Sequence, residues 1–248
     1  VTTKQGKAGK TNINFEAKWG FNQRGVPAYR TVTNEGDYYE LVWESLRNQY
    51  MSNGNSMMQA NIMASQNLVS ALGNYNSYNV ADNMLVNPIT GLMDRSASLL
   101  YDDDWLDEPF TNGFRQEYNV GIDGGTDKTK YYMSFNYLDD GSYIHASNFK
   151  RMSGRVNLEH QATKWLKVGV NASFAHIDTD ELSAEDAGAN NLFHFAQFIA
   201  PIYPIYDYDA AGNRLTDANG APIFDYGITN GHSRQYAQGA NPFGSLLN

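Results

Sequence analysis

The chain has 248 residues, a formal net charge of −9 and no cysteine. The acidic balance argues against nucleic acid as a partner, because such binding rests on neutralising phosphates with Lys and Arg. Without cysteine, disulfides, thiol nucleophiles and cysteine metal sites are excluded. With a mean hydropathy of −0.54 and no apolar run of about eighteen residues, the sequence predicts no transmembrane helix.

The first predicted element is a β-strand over residues 11–21. Apolar side chains alternate there with polar ones, as the two faces of a strand require: Ile13, Phe15, Ala17, Trp19 and Phe21 against Asn12, Asn14, Glu16 and Lys18. Residues 1–10, rich in Lys and Gly, are either a flexible basic leader or the end of a preceding strand followed by a linker.

Residues 22–113 form a connection far longer than compact domains normally carry, and helices are predicted within it. Thr33 or Asn34 caps a helix over residues 35–53, which Gly54 ends. A second helix over residues 56–72 ends at Gly73. Residues 74–112 are predicted to be irregular.

Four more strands follow, over residues 114–124, 130–138, 149–160 and 166–177. Each again has one apolar and one strongly polar face. Two interpretations fit this pattern. In a soluble antiparallel sheet the apolar face meets a core, whereas in a transmembrane barrel it meets lipid and the polar face lines the lumen.

Three features favour the barrel. The strands reach about ten residues, the length that spans a bilayer when a strand is tilted. Short turns at 124–130 and 161–165 alternate with long connections at 22–113, 138–148 and 178–248, as periplasmic turns alternate with extracellular loops. Aromatic residues lie near strand ends, as in an interface girdle. We therefore predict an all-β fold: a partial transmembrane antiparallel β-barrel of about five strands, with helix-containing extracellular loops.

The segment after residue 177 is predicted to contain a third helix and a small hairpin. Ser183, with Glu185 and Asp186, signals the helix start, and Pro201 ends it. Its apolar side is Leu192, Phe195, Phe198 and Ile199. The hairpin is predicted around the sequences AAGN and DANG.

An ordered set of short motifs carries a resemblance to a known family. The motifs are WLDEPF (105–110), QEYNV (116–120), GGTDKTKYY (124–132), YLDDG (137–141), FKRMSGRVNL (149–158) and KWLKVG (164–169). They resemble the SusC/RagA family of TonB-linked outer-membrane transporters. VTTKQGKAGKT (1–11), DYYELVWESLRN (37–48), FIAPIYPIYDYDAAGN (198–213) and ANPFGSLLN (240–248) extend the likeness over nearly the whole chain.

The resemblance implies a plug domain inside a barrel of about 22 strands in the outer membrane of a Gram-negative bacterium. It also implies import of glycans or peptides energised through TonB, with a SusD-like lipoprotein on the outer face. Residues 1–10 would then be the end of the plug domain and a linker, and residues 11–248 the first part of the barrel. Since about eight strands are the fewest that close a barrel, we expect a piece of a longer chain.

Lumen-facing residues are the first candidates for a functional site. Arg151, Arg155, Asn157 and Glu159 project into the lumen if Val156 and Leu158 meet lipid. They would line a substrate path or contact the plug, and we favour plug contact. Loop aromatics are the second group: Trp43, Trp105, Tyr203 and Tyr206 would stack on sugar rings or, as we favour for any single one, pack the loops together.

No catalytic constellation is evident, because none of the five histidines has triad or metal-ligand spacing. Asp102, Asp103 and Asp104 with Asp107 offer clustered oxygens of the kind calcium prefers, although solvated loop acids are the favoured interpretation. No other cofactor is expected. The sequence thus predicts part of a nutrient importer rather than an enzyme. The alternative is a soluble all-β carbohydrate-binding module whose apolar faces form a sandwich core.

Overall fold

The computed structural model describes residues 6–25, 27, 29–180 and 190–247. The chain forms two compact units. The first, here called the sheet unit, comprises Val1–Gly25 and Phe110–Leu182, and the second, the loop unit, comprises Val26–Pro109 and Ser183–Asn248. The predicted helix start at Ser183, Glu185 and Asp186 lies outside the described residues.

The sheet unit is one antiparallel sheet in which each strand pairs with its neighbours in sequence, in the order β1-β2-β3-β4-β5. Each strand has 13 or 14 residues. The observed strands extend the predicted ones by one to three residues at each end, except that β5 begins one residue later than predicted. Their bounds are Gly9–Asn22 (β1), Gly113–Gly125 (β2), Thr129–Gly141 (β3), Asn148–Gln161 (β4) and Lys167–Asp180 (β5).

The register keeps apolar residues on one face across all five strands. Phe15 pairs with Val120, Val120 with Phe135, Phe135 with Gly154, and Gly154 with Phe174. Because side chains alternate between faces, their sequence neighbours form a polar row on the other side. The register therefore divides the sheet into what we call the apolar face and the polar face.

Tight turns join β2 to β3 and β4 to β5. In the first, the Thr129 amide donates to the Thr126 hydroxyl at 3.1 Å, and the Thr126 amide donates to the Thr129 carbonyl at 2.6 Å. In the second, the Leu166 amide donates to the Thr163 hydroxyl at 3.0 Å. Threonine side chains thus satisfy the turn amides that the ladder leaves unpaired.

The loop unit contains the two helices predicted in the first long connection. Helix α1 spans Glu35–Ser52, and the Asn34 side chain caps it by accepting from the Asp37 amide at 2.9 Å. Helix α2 spans Met57–Ala71 and begins with a capping box between Ser56 and Gln59. Both predicted helices are thus confirmed. They could be predicted because cap residues and stop glycines are local signals in the sequence.

The later helices are shorter. Helix α3 spans Leu192–Phe198, capped by Asn191, and α4 spans Pro242–Leu247; the sequence did not predict α4. The predicted hairpin is not a pair of strands. Isolated bridges join Tyr208 to Arg214 and Thr216 to Pro222. No helix among the described residues is both long and apolar enough to cross a membrane.

The core of the loop unit lies around α1 and α2. It buries large side chains from both helices, from the irregular segment after them and from residues near 202: Tyr39, Trp43, Leu68, Tyr75, Leu85, Val86 and Ile202. The Tyr39 hydroxyl donates to the Tyr75 carbonyl at 3.0 Å. The first long connection is therefore a packed structure with its own core.

We predict that Gly73→Ala destabilises the loop unit by about 3 kcal/mol or more. Gly73 follows α2 with φ +78°, and a Cβ there would meet the Ser233 carbonyl oxygen at 2.0 Å. Gly54 follows α1 with φ +91° and open space around it. Gly54→Ala is therefore the matched control, with a cost of about 1 kcal/mol for the left-handed backbone alone.

Hydrogen exchange of the α1 and α2 amides in the intact protein measures both changes. Equal losses of protection in the two variants would contradict the role of the Ser233 contact.

Candidate functional site: the two faces of the sheet

The apolar face of the sheet is not covered. Ile13 and Phe15 are each 67% exposed, Phe135 is 43% exposed and Val170 is 53% exposed. A sandwich core would bury these side chains almost completely. Large contiguous apolar surfaces of this kind mark contact with another protein or with a membrane.

The apolar residues drift along the strands from one edge of the sheet to the other. On β1 the apolar residues run from Ile13 to Phe21, and their centre is Ala17. The line of directly paired residues that starts at Ala17 crosses the sheet and ends at His176 on β5. On β5 the apolar residues run from Val168 to Phe174, so their centre lies about five residues, or ~17 Å, from that line. Four strand spacings cover ~19 Å. The apolar band therefore has the direction expected for a membrane crossed by strands that tilt by about 40° from the membrane normal. This tilt is within the range of transmembrane barrels.

The polar face carries a network of side-chain hydrogen bonds. Arg115 forms ion pairs with Glu117, at 3.2 Å, and with Asp140. The Asn136 amide group donates to the Asn119 side chain at 2.7 Å, and Arg151 donates to Asn136 at 3.2 Å. Most of the charge on β2 and β3 is thus compensated within the face.

The four predicted lumen residues all lie on this polar face, but in different surroundings. Arg151 belongs to the network, Asn157 is buried, and Glu159 pairs with Lys167 at 2.7 Å. Arg155 is exposed. Of the four, Arg155 borders a space of about 1040 Å³ next to the polar face. A pattern of period two predicts the shared face but not these partners.

The four candidate loop aromatics are all buried in the loop unit. The indole N–H groups of Trp43 and Trp105 donate to the Ser65 hydroxyl at 2.8 Å and to the Tyr203 carbonyl at 2.9 Å. Tyr203 donates to the Leu72 carbonyl at 3.3 Å. The guanidinium carbon of Arg214 lies 3.6 Å from the centroid of the Tyr206 ring. Because the rings are enclosed, this arrangement leaves none of them open to a sugar and favours the packing interpretation.

The acidic cluster has a structural anchor at its centre. Asp103 is buried, and its carboxylate accepts from the amides of Ile205 at 2.8 Å and Tyr206 at 3.2 Å, and from the Tyr208 hydroxyl at 2.5 Å. It fixes the segment near residue 205 to the segment near residue 103. The described residues bring no three His, Asp or Glu side chains together in a group suited to a metal.

A buried polar cluster near the end of the chain was not predicted from the sequence. Arg234 is almost fully buried, with its guanidinium 3.7 Å from the Asp225 carboxylate. The Tyr75 hydroxyl donates to Asp225 at 2.8 Å, while Arg234 donates to the carbonyl of Tyr236 at 2.9 Å. Burial lowers the pKa of Arg234 and raises that of Tyr75. No local motif marks these residues, since they meet only in the tertiary structure.

Glu35, the first residue of α1, is also buried, beside a cavity of about 100 Å³. Burial, together with the nearby charges of Asp102 and Asp104, raises the pKa of its carboxyl group to about 7. A carboxyl group in this position favours the protonated form in the folded state.

Comparisons with known proteins show what the chain is similar to. No protein-family model matches the chain. The TonB-dependent receptor P3 of Formosa agariphila is 31% identical over 110 residues, which are 43% of this chain and 11% of that receptor. The TonB-dependent receptor SusC of Bacteroides thetaiotaomicron is 35% identical over 72 residues, which are 29% of this chain and 7% of SusC.

The chain is similar to part of a SusC-type TonB-dependent receptor. It spans about a tenth of the length of these relatives. The solved structure of the RagAB peptide transporter matches with a TM-score of 0.52 and 22% identity, over 98% of this chain and 25% of the other. The RagAB peptide importer in the open-open state matches with a TM-score of 0.52 and 23% identity, over 98% and 24%.

The SusC-type likeness and the strand order together confirm the predicted fold class. The sheet is open and antiparallel, with few helices, and resembles part of a TonB-dependent barrel. The expected domain division at residue 10 stays a prediction.

We predict that Asp103→Asn opens the loop unit near residue 205. The substitution removes a charge that two amides and a hydroxyl share, at a cost of about 2–3 kcal/mol. Asp107→Asn is the control, since Asp107 is exposed and surface changes usually stay within about 0.5 kcal/mol. Hydrogen exchange at the amides of Ile205 and Tyr206 gives a direct measurement, and unchanged protection in Asp103→Asn would refute the anchor.

We predict that the stability of the loop unit falls as pH rises from about 4.5 to about 7. In this range the folded state holds a proton on Glu35 that the unfolded chain releases, so the free energy of unfolding decreases with pH. The loss is on the order of 1–3 kcal/mol.

Urea unfolding between pH 4.5 and 8 measures this slope, and Glu35→Gln is expected to flatten it. Asp37→Asn, which changes an exposed acid in the same helical turn, lowers stability without flattening the slope. An unchanged slope in Glu35→Gln would assign the pH dependence to other groups.

Proposed function

We propose that this chain is part of an outer-membrane importer in a Gram-negative bacterium, with its apolar face against lipid and its polar face towards a water-filled lumen. The single observation that carries the proposal is the exposed apolar band, which crosses the strands as expected for strands tilted by about 40° from the membrane normal. A membrane stabilises such a band, because removing apolar surface from water contributes about 25 cal/mol of favourable free energy per Å².

The open edges of the sheet fit the same proposal. Within hydrocarbon, unpaired N–H and C=O groups on β1 and β5 would each cost several kcal/mol. Further strands of a larger barrel would pair these edges. The relatives named above, of which this chain spans about a tenth, are long enough to supply them.

The segment that leads into β1 supports a plug on the polar side. Gly6 lies so close to β3 that a Cβ would stand 2.2 Å from the Tyr131 carbonyl oxygen. Lys7, the next residue, borders the space next to the polar face. The chain thus crosses the polar side of the sheet before it enters β1, as it would on leaving a plug inside the lumen.

Transport rather than catalysis is proposed because the relatives are receptors and a peptide transporter. Peptides or glycans are the proposed substrates, TonB the energy source and a SusD-like lipoprotein the outer partner. The soluble carbohydrate-binding module explains neither the exposed band nor the buried positions of Trp43, Trp105, Tyr203 and Tyr206.

Fluorophores on the two faces of β3 test the proposal. We predict that a label at Phe135→Cys is quenched by brominated lipids, while one at the adjacent Ser134→Cys is not, in the full-length protein in bilayers. The two positions differ only in the face that they occupy. Equal quenching, or none at Phe135→Cys, would refute the membrane orientation.

A further inference from the structure

Three cations on the polar face have an acidic partner on the same face. Lys18 pairs with Glu16 at 3.1 Å, and Lys167 pairs with Glu159 at 2.7 Å. Arg115 pairs with two carboxylates. Arg155 and Lys7 have no such partner in the described part of the chain. Among the described residues, no carboxylate lies within salt-bridge distance of either cation, although both border the same space of about 1040 Å³.

The row that contains Arg155 is built of small side chains. Ser134 on β3 and Ser173 on β5 pair directly with Arg155, and Gly121 on β2 follows Ser134. A Cβ at Gly121 would meet nothing within 4 Å. The row therefore leaves room in front of the guanidinium, with two hydroxyl groups beside it that can donate hydrogen bonds to a ligand.

We infer that Arg155, with Lys7 and the two serines, forms a binding position for a carboxylate group. The inference rests on the proposed function, in which this face lines the lumen. A planar guanidinium matches a carboxylate in a bidentate manner, and a cation without a carboxylate within salt-bridge distance attracts anions locally. The carboxylate comes either from an imported peptide or acidic glycan, or from a lumenal segment of the protein itself.

A cysteine reporter measures the local potential, because the chain has no cysteine of its own. Ser173→Cys is introduced into the full-length protein in outer-membrane vesicles. It is then modified by an anionic and a cationic methanethiosulfonate reagent. We expect the rate with the anionic reagent, divided by the rate with the cationic one, to fall about fivefold when Arg155→Gln is added. With Lys7→Gln the same ratio is expected to fall about twofold. Lys18→Gln is the control, since Lys18 is on the same face but paired with Glu16.

Further arms identify the source of the carboxylate. If a substrate supplies it, tetra-alanine with a free carboxyl terminus slows modification of the reporter, and amidated tetra-alanine does not. If the protein supplies it, neither peptide protects, the ratio is low from the start, and Arg155→Gln lowers the melting temperature more than Lys18→Gln does.

An unchanged ratio, no protection and an unchanged melting temperature in Arg155→Gln would together overturn the inference. The failure of the membrane orientation would appear elsewhere, as a missing difference in lipid quenching between Phe135→Cys and Ser134→Cys. The two failures are therefore distinguishable.

Discussion

The cross-strand register of the five strands is the constraint on which the rest of the sheet unit depends. Because side chains alternate between faces, a slip of one residue between two strands would move every apolar residue of one of them to the polar side. The observed pairing of Phe15 with Val120 and of Val120 with Phe135 prevents this. One ladder of backbone hydrogen bonds thus produces both an apolar face and a polar one.

The two faces are stabilised by different interactions. On the apolar face, Trp19 donates to the Tyr118 hydroxyl at 3.1 Å, and Phe21 lies 5.5 Å from Phe114 between ring centroids. On the polar face, ion pairs and amide hydrogen bonds compensate most of the charge. Arg155, on the same face, has no carboxylate within salt-bridge distance among the described residues.

The loop unit follows another principle. Its long irregular segments are held by buried polar groups that accept or donate several hydrogen bonds each, such as Asp103 and Arg234. A buried polar group is costly when unpaired, so each of these anchors specifies one arrangement of the backbone around it. This explains how a connection of such length is ordered with few regular elements.

The sequence by itself determined the strands, their two faces, the first two helices and the likeness to TonB-linked transporters. These features follow from local signals: a period of two, cap residues such as Asn34 and Ser56, and short ordered motifs. Only the tertiary structure decided which candidate residues have partners, where Trp43 and Trp105 point, and how the apolar band inclines across the strands. Those properties depend on contacts between residues far apart in the chain, such as Asp103 with Ile205, and a periodic pattern carries no information about them.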